Sequence, residues 1–237
     1  MFTFLCPQQL LSQYLESQDK LVSRFRPGAA WFFSAKPSKS GHLRKYDRLM
    51  IDVTQNNFNG EDLPFFNDQP SLGVNVALMH QKILTKANTF SLAIGLGYSH
   101  FNYKSFNGVK SDLLQGSTHF YSDSIHDQNK LKMNYIKIPL EMRCRTKGYK
   151  HFKVILGAEI AYALNTVHVA KRREAEMVNI YKQYTFADVN PWRFGATFRA
   201  GFRNVSLFGA YYFTPVFTNS ESVQIYPFSL GITFSLF

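Results

Sequence analysis

The chain contains almost no cysteine and no long apolar run. Of its 237 residues only Cys6 and Cys144 are cysteines, and they lie far apart. That count does not supply a disulfide framework. Cys144 lies on the apolar phase of its segment, as a small hydrophobic residue does. No run of about 18 consecutive apolar residues occurs, so the sequence excludes a membrane-spanning helix.

The first residues also lack the features of an export signal. Met1 to Cys6 are apolar, but the segment is short and has no basic residues ahead of it. Leu5 is not the small residue expected before the cysteine of a lipoprotein. If the protein is exported, either its signal has been removed or the chain start is assigned wrongly.

What the chain has instead is alternation of apolar with polar or small residues. In residues 226–237, Phe228, Leu230, Ile232 and Phe234 fall on one phase, and Ser229, Gly231, Thr233 and Ser235 on the other. Side chains of a strand point alternately to its two faces, so this pattern predicts a strand with unlike faces. Eight such strands are predicted, over residues 47–56, 71–82, 89–103, 133–145, 151–165, 192–202, 204–217 and 226–237.

The connectors between these strands alternate short and long. Short turns are predicted near residues 83–88, 146–150 and 203–204, whereas the longest connectors cover 104–132 and 166–191. Short periplasmic turns and long extracellular loops are typical of outer-membrane barrels. Aromatic residues make up 16% of the chain, which suits the girdles at the two membrane interfaces. The sequence therefore predicts an all-β fold, an eight-stranded antiparallel up-and-down transmembrane β-barrel with both termini periplasmic.

Two units follow from this reading. Residues 46–237 form the predicted barrel, and residues 1–45 form a short N-terminal periplasmic extension, partly helical or extended. Residues 8–22 show rough helical spacing of apolar positions, and residues 24–44 read as an extended linker. Pro139 lies within the fourth strand, where it predicts a bulge or local break.

Charged residues occupy the strand phase that is predicted to face the barrel interior. They are Asp52, Glu141, Arg143, Glu159 and Arg199, and glycines share their phase. The interior of an eight-stranded barrel is just wide enough for side chains to fill it. We expect these five residues to form an interior polar network, and a filled barrel is favoured over a conducting pore.

The net charge points to anionic lipid. The chain carries 27 Lys and Arg against 16 Asp and Glu, a formal charge of +11. These cations are scattered and form no nucleic-acid-binding motif, so nucleic acid is not a predicted partner. The predicted partners are outer-membrane lipid, lipopolysaccharide phosphates and other outer-membrane proteins.

Ser99 and His100 invite comparison with a lipid hydrolase. Serine hydrolysis needs a nucleophile hydrogen-bonded to a base, and an acid that orients the base. No acidic residue has a suitable strand position beside this pair, so a histidine at the barrel rim is the favoured interpretation. No catalytic residue and no cofactor are predicted.

The remaining candidate motifs are better explained by ordinary structure. Ser122, Asp123, Ser124, His126 and Asp127 lie in a polar segment whose spacing fits no metal-ligand pattern, and a solvated loop is expected. Lys171, Arg172 and Arg173 read as a charged loop, with lipopolysaccharide phosphate as the alternative contact. Gly95 and Gly97 lie within a strand with no helix following, which excludes a phosphate-binding loop.

Taken in order, the strand segments resemble a known family. They are KYDRLMIDVTQNNF (45–58), LGVNVALMHQ (72–81), NTFSLAIGLGYSHFN (88–102), NYIKIPLEMRCRTK (134–147), FKVILGAEIAYALN (152–165), SLFGAYYFTPVF (206–217) and YPFSLGITF (226–234). The series resembles the small outer-membrane β-barrels of Bacteroidota, often grouped as PorT-like. The resemblance implies an outer-membrane location, no catalytic residues, and a role beside secretion or barrel-assembly machinery. Phe237 departs from it, because it falls out of phase with the apolar face.

Three functions remain open from the sequence. The favoured one is a non-enzymatic barrel that serves as a structural or accessory subunit of a larger outer-membrane complex. The alternatives are an outer-leaflet lipid A or phospholipid hydrolase, and a small passive channel or ligand-binding barrel.

Overall fold

A computed structural model describes residues 48–60, 70–85, 89–105, 107–112, 115–123, 125–146, 152–174, 177–184, 186 and 188–236. The predicted N-terminal periplasmic segment, residues 1–45, and Phe237 lie outside these residues. No helix in the described part is long and apolar enough to cross a membrane. The strands are β1 (Leu49–Asn59), β2 (Leu72–Ile83), β3 (Phe90–Ser105), β4 (Asn107–Asp112), β5 (Ser117–Ser122), β6 (Gln128–Arg145), β7 (Phe152–Glu174), β8 (Met177–Gln183), β9 (Trp192–Phe202), β10 (Val205–Tyr212) and β11 (Tyr226–Leu236).

Eight of these strands close into an antiparallel barrel. Its order is β1, β2, β3, β6, β7, β9, β10 and β11, and β11 pairs back onto β1 from Leu49↔Leu236 to Asn59↔Tyr226. Closure leaves no unpaired edge in the wall, so the backbone is satisfied within a bilayer. The predicted eight-stranded fold is confirmed.

The register fixes how far the strands tilt. Starting at Asp52, pairing through β2 and β3 leads to Tyr135 on β6. Pairing the other way round, through β11, β10, β9 and β7, leads to Arg145 on the same strand. The two positions are ten residues apart, and for eight strands this shear corresponds to a tilt of roughly 40°. Such a barrel is narrow enough for side chains to fill it.

The wall presents its apolar phase outward. Leu78, Leu96 and Leu207 are 64%, 57% and 70% exposed, while their neighbours Ala77, Met79 and Phe208 are buried. In β10 the same alternation holds, since Val205 and Tyr211 are exposed and Tyr212 faces inward. An outward apolar band with polar residues inside is what a bilayer requires of a barrel.

Pro139 produces a local break on one side of β6 only. The β3–β6 ladder passes from Ile94↔Leu140 directly to Gly97↔Lys137, because proline has no N–H to donate. On its other side Pro139 stays in register opposite Glu159, and the register shift of that ladder lies at Asn134/Tyr135.

The two longest connectors contain strands that were predicted as loop. Strand β6 begins at Gln128, the hairpin β4–β5 precedes it, β7 continues to Glu174, and β8 pairs with its far end. We call the parts of β3, β6, β7 and β8 that continue past the closed wall the extension; it comprises residues 101–105, 128–133, 163–174 and 177–183. Conversely β10 ends at Tyr212 rather than at residue 217, since Pro215 follows and cannot donate to a ladder.

Candidate functional site

The end of the lumen nearer the short turns holds a cluster of ion pairs. Arg199 on β9 bridges two carboxylates, with its Nη2 3.0 Å from Asp52 Oδ2 and its Nη1 2.7 Å from Glu141 Oε1. Arg143 donates to the other oxygen of Glu141 from Nη2 at 2.7 Å and from Nε at 2.9 Å. Thr233 donates to Asp52 Oδ1 at 2.7 Å. Every charge in the cluster is therefore both paired and hydrogen-bonded, as burial demands.

A second ion pair lies next along the lumen. Lys137 Nζ is 2.9 Å from Glu159 Oε2, and the Tyr212 hydroxyl donates to Glu159 Oε1 at 2.6 Å. Both charged side chains are 1% exposed. The structure thus buries all five predicted interior residues, with four of them in one cluster and Glu159 in this separate pair.

Inward-facing glycines make room for these long side chains. A Cβ on Gly97 would lie 3.2 Å from Cγ of Lys137. A Cβ on Gly157 would lie 3.1 Å from Cγ of Glu141 and 2.9 Å from the carbonyl oxygen of Leu140. Large charged residues and glycines therefore occupy complementary positions across neighbouring strands.

Three buried cations were not included in the interior network predicted from the sequence. Lys137 was on the inward phase but was left out of the network, as was Lys153, which donates to Ser235 Oγ at 2.7 Å. Arg193 was missed although it alternates with Phe194 on the wall. Its phase was the available signal, because it shares a face with Arg199.

Arg193 lies in a cage of aromatic rings above the ion pairs. Its guanidinium carbon is 4.0 Å from the ring centre of Tyr135 and 5.0 Å from those of Phe101 and Tyr212. Its Nη2 donates to the Tyr135 hydroxyl at 2.7 Å. Ring faces attract a cation, which offsets part of the cost of burying it. Apolar residues continue this cluster toward the long connectors: Phe58, Tyr103, Leu131, Met133, Val216, Phe217 and Ile225.

The long connectors pack over this end of the barrel. The carboxylate of Asp188 accepts hydrogen bonds from Thr118 Oγ1 at 2.5 Å and from Ser222 Oγ, which joins three separate connectors. The backbone N–H of Thr118 also donates to Ser222 Oγ at 2.9 Å. Phe217 is fully buried beneath them. The lumen is therefore filled by charged side chains, then aromatic ones, and covered by tied loops.

Ser99 and His100 do not meet. Ser99 points into the lumen and is 1% exposed, and its hydroxyl has no hydrogen-bond partner among the described residues. His100, one residue on, faces outward, where its Nδ1 is 2.6 Å from Asn134 Oδ1. Adjacent residues of a strand face opposite sides, so the pair cannot form a nucleophile–base hydrogen bond.

Asp123 organises the segment that was predicted as a solvated loop. It accepts from Asn129 Nδ2 at 3.1 Å, its Oδ2 is 2.7 Å from His126 Nδ1, and Asp127 N donates to the Lys171 carbonyl at 2.9 Å. Burial raises the pKa of Asp123, but these hydrogen bonds outweigh it and the net pKa is lowered. Within the described residues no cluster of His, Cys, Asp or Glu could hold a metal. Ser122 ends β5, and Ser124 lies outside the described residues.

The other two motifs lie in strands. Lys171 to Arg173 belong to β7, not to a loop, because all three pair with β8 and Lys171 also pairs with Gln128 on β6. Gly95 and Gly97 lie within β3, as predicted.

His168 is a buried neutral histidine of the extension. It lies on β7 between Leu131 and Gln183, and its Nε2 has no hydrogen-bond partner among the described residues. Burial lowers its pKa to about 4, against a smaller opposing effect of Asp123.

Two solved structures resemble this architecture distantly. Ail, the attachment invasion locus protein of Yersinia pestis in complex with the heparin analogue sucrose octasulfate, is 11% identical with a TM-score of 0.34, over 78% of this chain and 95% of Ail. A mutant of Rh. blastica porin is 6% identical with a TM-score of 0.21, over 80% of this chain and 99% of the porin. Neither likeness bears on function, and no curated protein matches the chain.

The family comparison covers the barrel itself. Residues 49–221, from the start of β1 into the last long connector, match the family described as outer membrane protein beta-barrel domain. The match and the closed barrel with its apolar belt lead to one conclusion. The chain belongs to this outer-membrane β-barrel family and is an outer-membrane β-barrel protein.

Proposed function

We propose that this barrel is a non-enzymatic accessory subunit of a larger outer-membrane complex, with its long connectors outside the cell and both chain ends in the periplasm. The observation that carries the proposal is the open edge of β8. Among the described strands, β8 is the last of its sheet and pairs with β7 on one side only. An unpaired strand edge is a template for a partner chain.

The side chains of β8 fit that role. Val178, Ile180 and Tyr181 are 53%, 51% and 56% exposed, and Tyr184 just beyond is 65% exposed. Strand β8 lies outside the closed wall, so lipid chains do not account for this exposure. Apolar and aromatic side chains at an edge are features of a protein-binding surface.

The interior supports a structural rather than a transport or catalytic role. Ion pairs and aromatic residues occupy the lumen, and Ser99 and His100 lie on opposite faces of β3. The resemblance to PorT-like barrels of Bacteroidota favours secretion or barrel-assembly machinery as the complex.

Co-purification tests the proposal. The tagged chain is extracted from native membranes in mild detergent, and its mass is measured beside that of Ile180→Asp and of Leu84→Asp, an exposed apolar control after β2 at the other end of the barrel. We expect a stoichiometric partner with the wild type and with Leu84→Asp, and its loss with Ile180→Asp. A strictly monomeric wild-type barrel, or equal retention by all three proteins, would overturn the proposal.

A further inference from the structure

The outward face of the extension carries a cluster of lysines. Lys104 on β3 and Lys130 on β6 are directly opposite each other, and Lys132 is one position along on the same face. Lys171 lies diagonally across from Lys130 on β7. Like charges placed opposite each other on a sheet destabilise it, so such a cluster calls for an anion.

In the part of the chain that the structure describes, no acidic side chain supplies that anion. Among the described residues no carboxylate forms an ion pair with Lys104, Lys130 or Lys132. Burial first, and then the charges of Lys171, Lys104 and Lys132, lower the pKa of Lys130. The three lysines are half-buried.

The position of the cluster relative to the membrane band identifies its ligand. Tyr98 is the last exposed aromatic residue of β3, and Lys104 follows six residues later. At about 3.3 Å per residue and a tilt of roughly 40°, the lysine lies about 15 Å nearer the long connectors. That distance carries it from the end of the apolar belt to the height of lipid headgroups.

Polar side chains fill the interval between the belt and the lysines. Asn134 accepts from the Tyr98 hydroxyl at 2.8 Å, approaches His100 Nδ1 to 2.6 Å, and donates to Asn165. This row faces outward, directly below Lys132 and Lys130 on β6. A tyrosine followed by amides and then by cations matches the succession of acyl chain, sugar and phosphate in a glycolipid.

We propose that Lys104, Lys130 and Lys132 form a docking site for the phosphates of an outer-leaflet glycolipid of the lipid A type. The inference rests on the proposed orientation, with the long connectors outside. It is independent of any protein partner at β8. Lysine ammonium groups give charge-assisted hydrogen bonds to phosphate oxygens, and a basic cluster at headgroup height attracts anionic lipid.

Lipid binding by the purified, folded barrel tests the site. Retention of diphosphoryl lipid A is measured for the wild type, for Lys104→Gln/Lys130→Gln/Lys132→Gln, and for Arg48→Gln/Lys82→Gln/Lys110→Gln, which removes the same charge elsewhere. We expect the first variant to bind weaker by on the order of tenfold or more, and the control to bind like the wild type. Equal binding by all three, or equal wild-type binding of dephosphorylated lipid A, would overturn the inference.

Thermal stability distinguishes a lipid-binding role of the three lysines from a purely structural one. Without lipid the triple lysine variant should be at least as stable as the wild type, because repulsion between Lys104 and Lys130 has been removed. With lipid A added, the wild type should gain more in Tm than the variant. A variant less stable than the wild type without lipid would contradict the assignment.

Discussion

Arg199 is the residue that joins the two carboxylates of the larger interior ion-pair cluster. Its Nη2 lies 3.0 Å from a carboxylate oxygen of Asp52, and its Nη1 lies 2.7 Å from one of Glu141. Removing one partner of a buried ion pair leaves an uncompensated charge, at a cost of about 3–5 kcal/mol. Arg199→Met should therefore lower the free energy of unfolding by about that amount, as measured by urea titration of the barrel in lipid vesicles.

Two further variants make that prediction specific. Arg199→Lys keeps a positive charge but cannot reach both carboxylates as a fork, so it should lose less stability. Lys82→Met removes a cation from the outer face of β2 and should change stability little. A loss for Lys82→Met as large as for Arg199→Met would contradict the role of the ion pairs.

Because His168 is buried, we expect the stability of the extension to depend on pH. Its pKa in the folded protein is about 4, against an ordinary value of 6.5, because it is buried. Between these values the unfolded segment binds the proton and the folded one does not, so stability falls as the pH falls. Asp123 remains ionised throughout, since its pKa is lowered.

Hydrogen exchange measures this effect directly. Protection of the extension around His168 should fall by about 2 kcal/mol from pH 7.5 to pH 5, after correction for intrinsic exchange. In His168→Gln this fall should disappear. An equal fall in the variant would assign the pH dependence to another group.

At the scale of elements, two glycines of the wall make opposite predictions. A Cβ at Gly157 would press on the Leu140 carbonyl at 2.9 Å and on Thr197 Oγ1 at 2.6 Å. A Cβ at Gly209 would face lipid, with its nearest neighbour at 3.7 Å. Gly157→Ala should therefore cost about 1–3 kcal/mol of unfolding free energy by overpacking. Gly209→Ala should leave stability within about 0.5 kcal/mol. Equal effects in urea titration would show that the lumen is not tightly packed around Glu141.

The elements also show what the sequence could and could not predict. The pattern located β9 at its observed bounds, and it placed Leu230, Ile232 and Phe234 of β11 on one phase, which faces outward. Inside a bilayer one face must be apolar, so alternation marks each strand and its orientation. The extension was read as loop, because beyond the bilayer neither face of β6 or β7 has to be apolar.

The same physics governs how much of the interior was predictable. Phase alone placed Asp52, Glu141 and Arg199 in the lumen, yet it gave no pairing, since pairing depends on register around the closed barrel. Register is a property of the whole ladder, and the β6–β7 register places Glu159 diagonally across from Lys137 instead of in the Arg199 cluster. The aromatic cage of Arg193 likewise joins residues from three strands.

The molecule as a whole is a filled barrel. Ion pairs occupy the end near the short turns, the Arg193 cage occupies the other end, and Asp188 ties the long connectors over it. The two proposed binding sites therefore lie on the surface, at the β8 edge and at the lysine cluster of the extension.

Single-channel recording is the most direct test of whether the lumen is filled. The full chain is folded into vesicles, and its strand content is verified by circular dichroism. The vesicles are then fused to a planar bilayer in about 1 M KCl, a salt concentration at which small pores conduct measurably. Because the lumen is filled, the account predicts no steady conductance above that of the bare bilayer. A stable ohmic conductance that scales with the amount of inserted protein would contradict it.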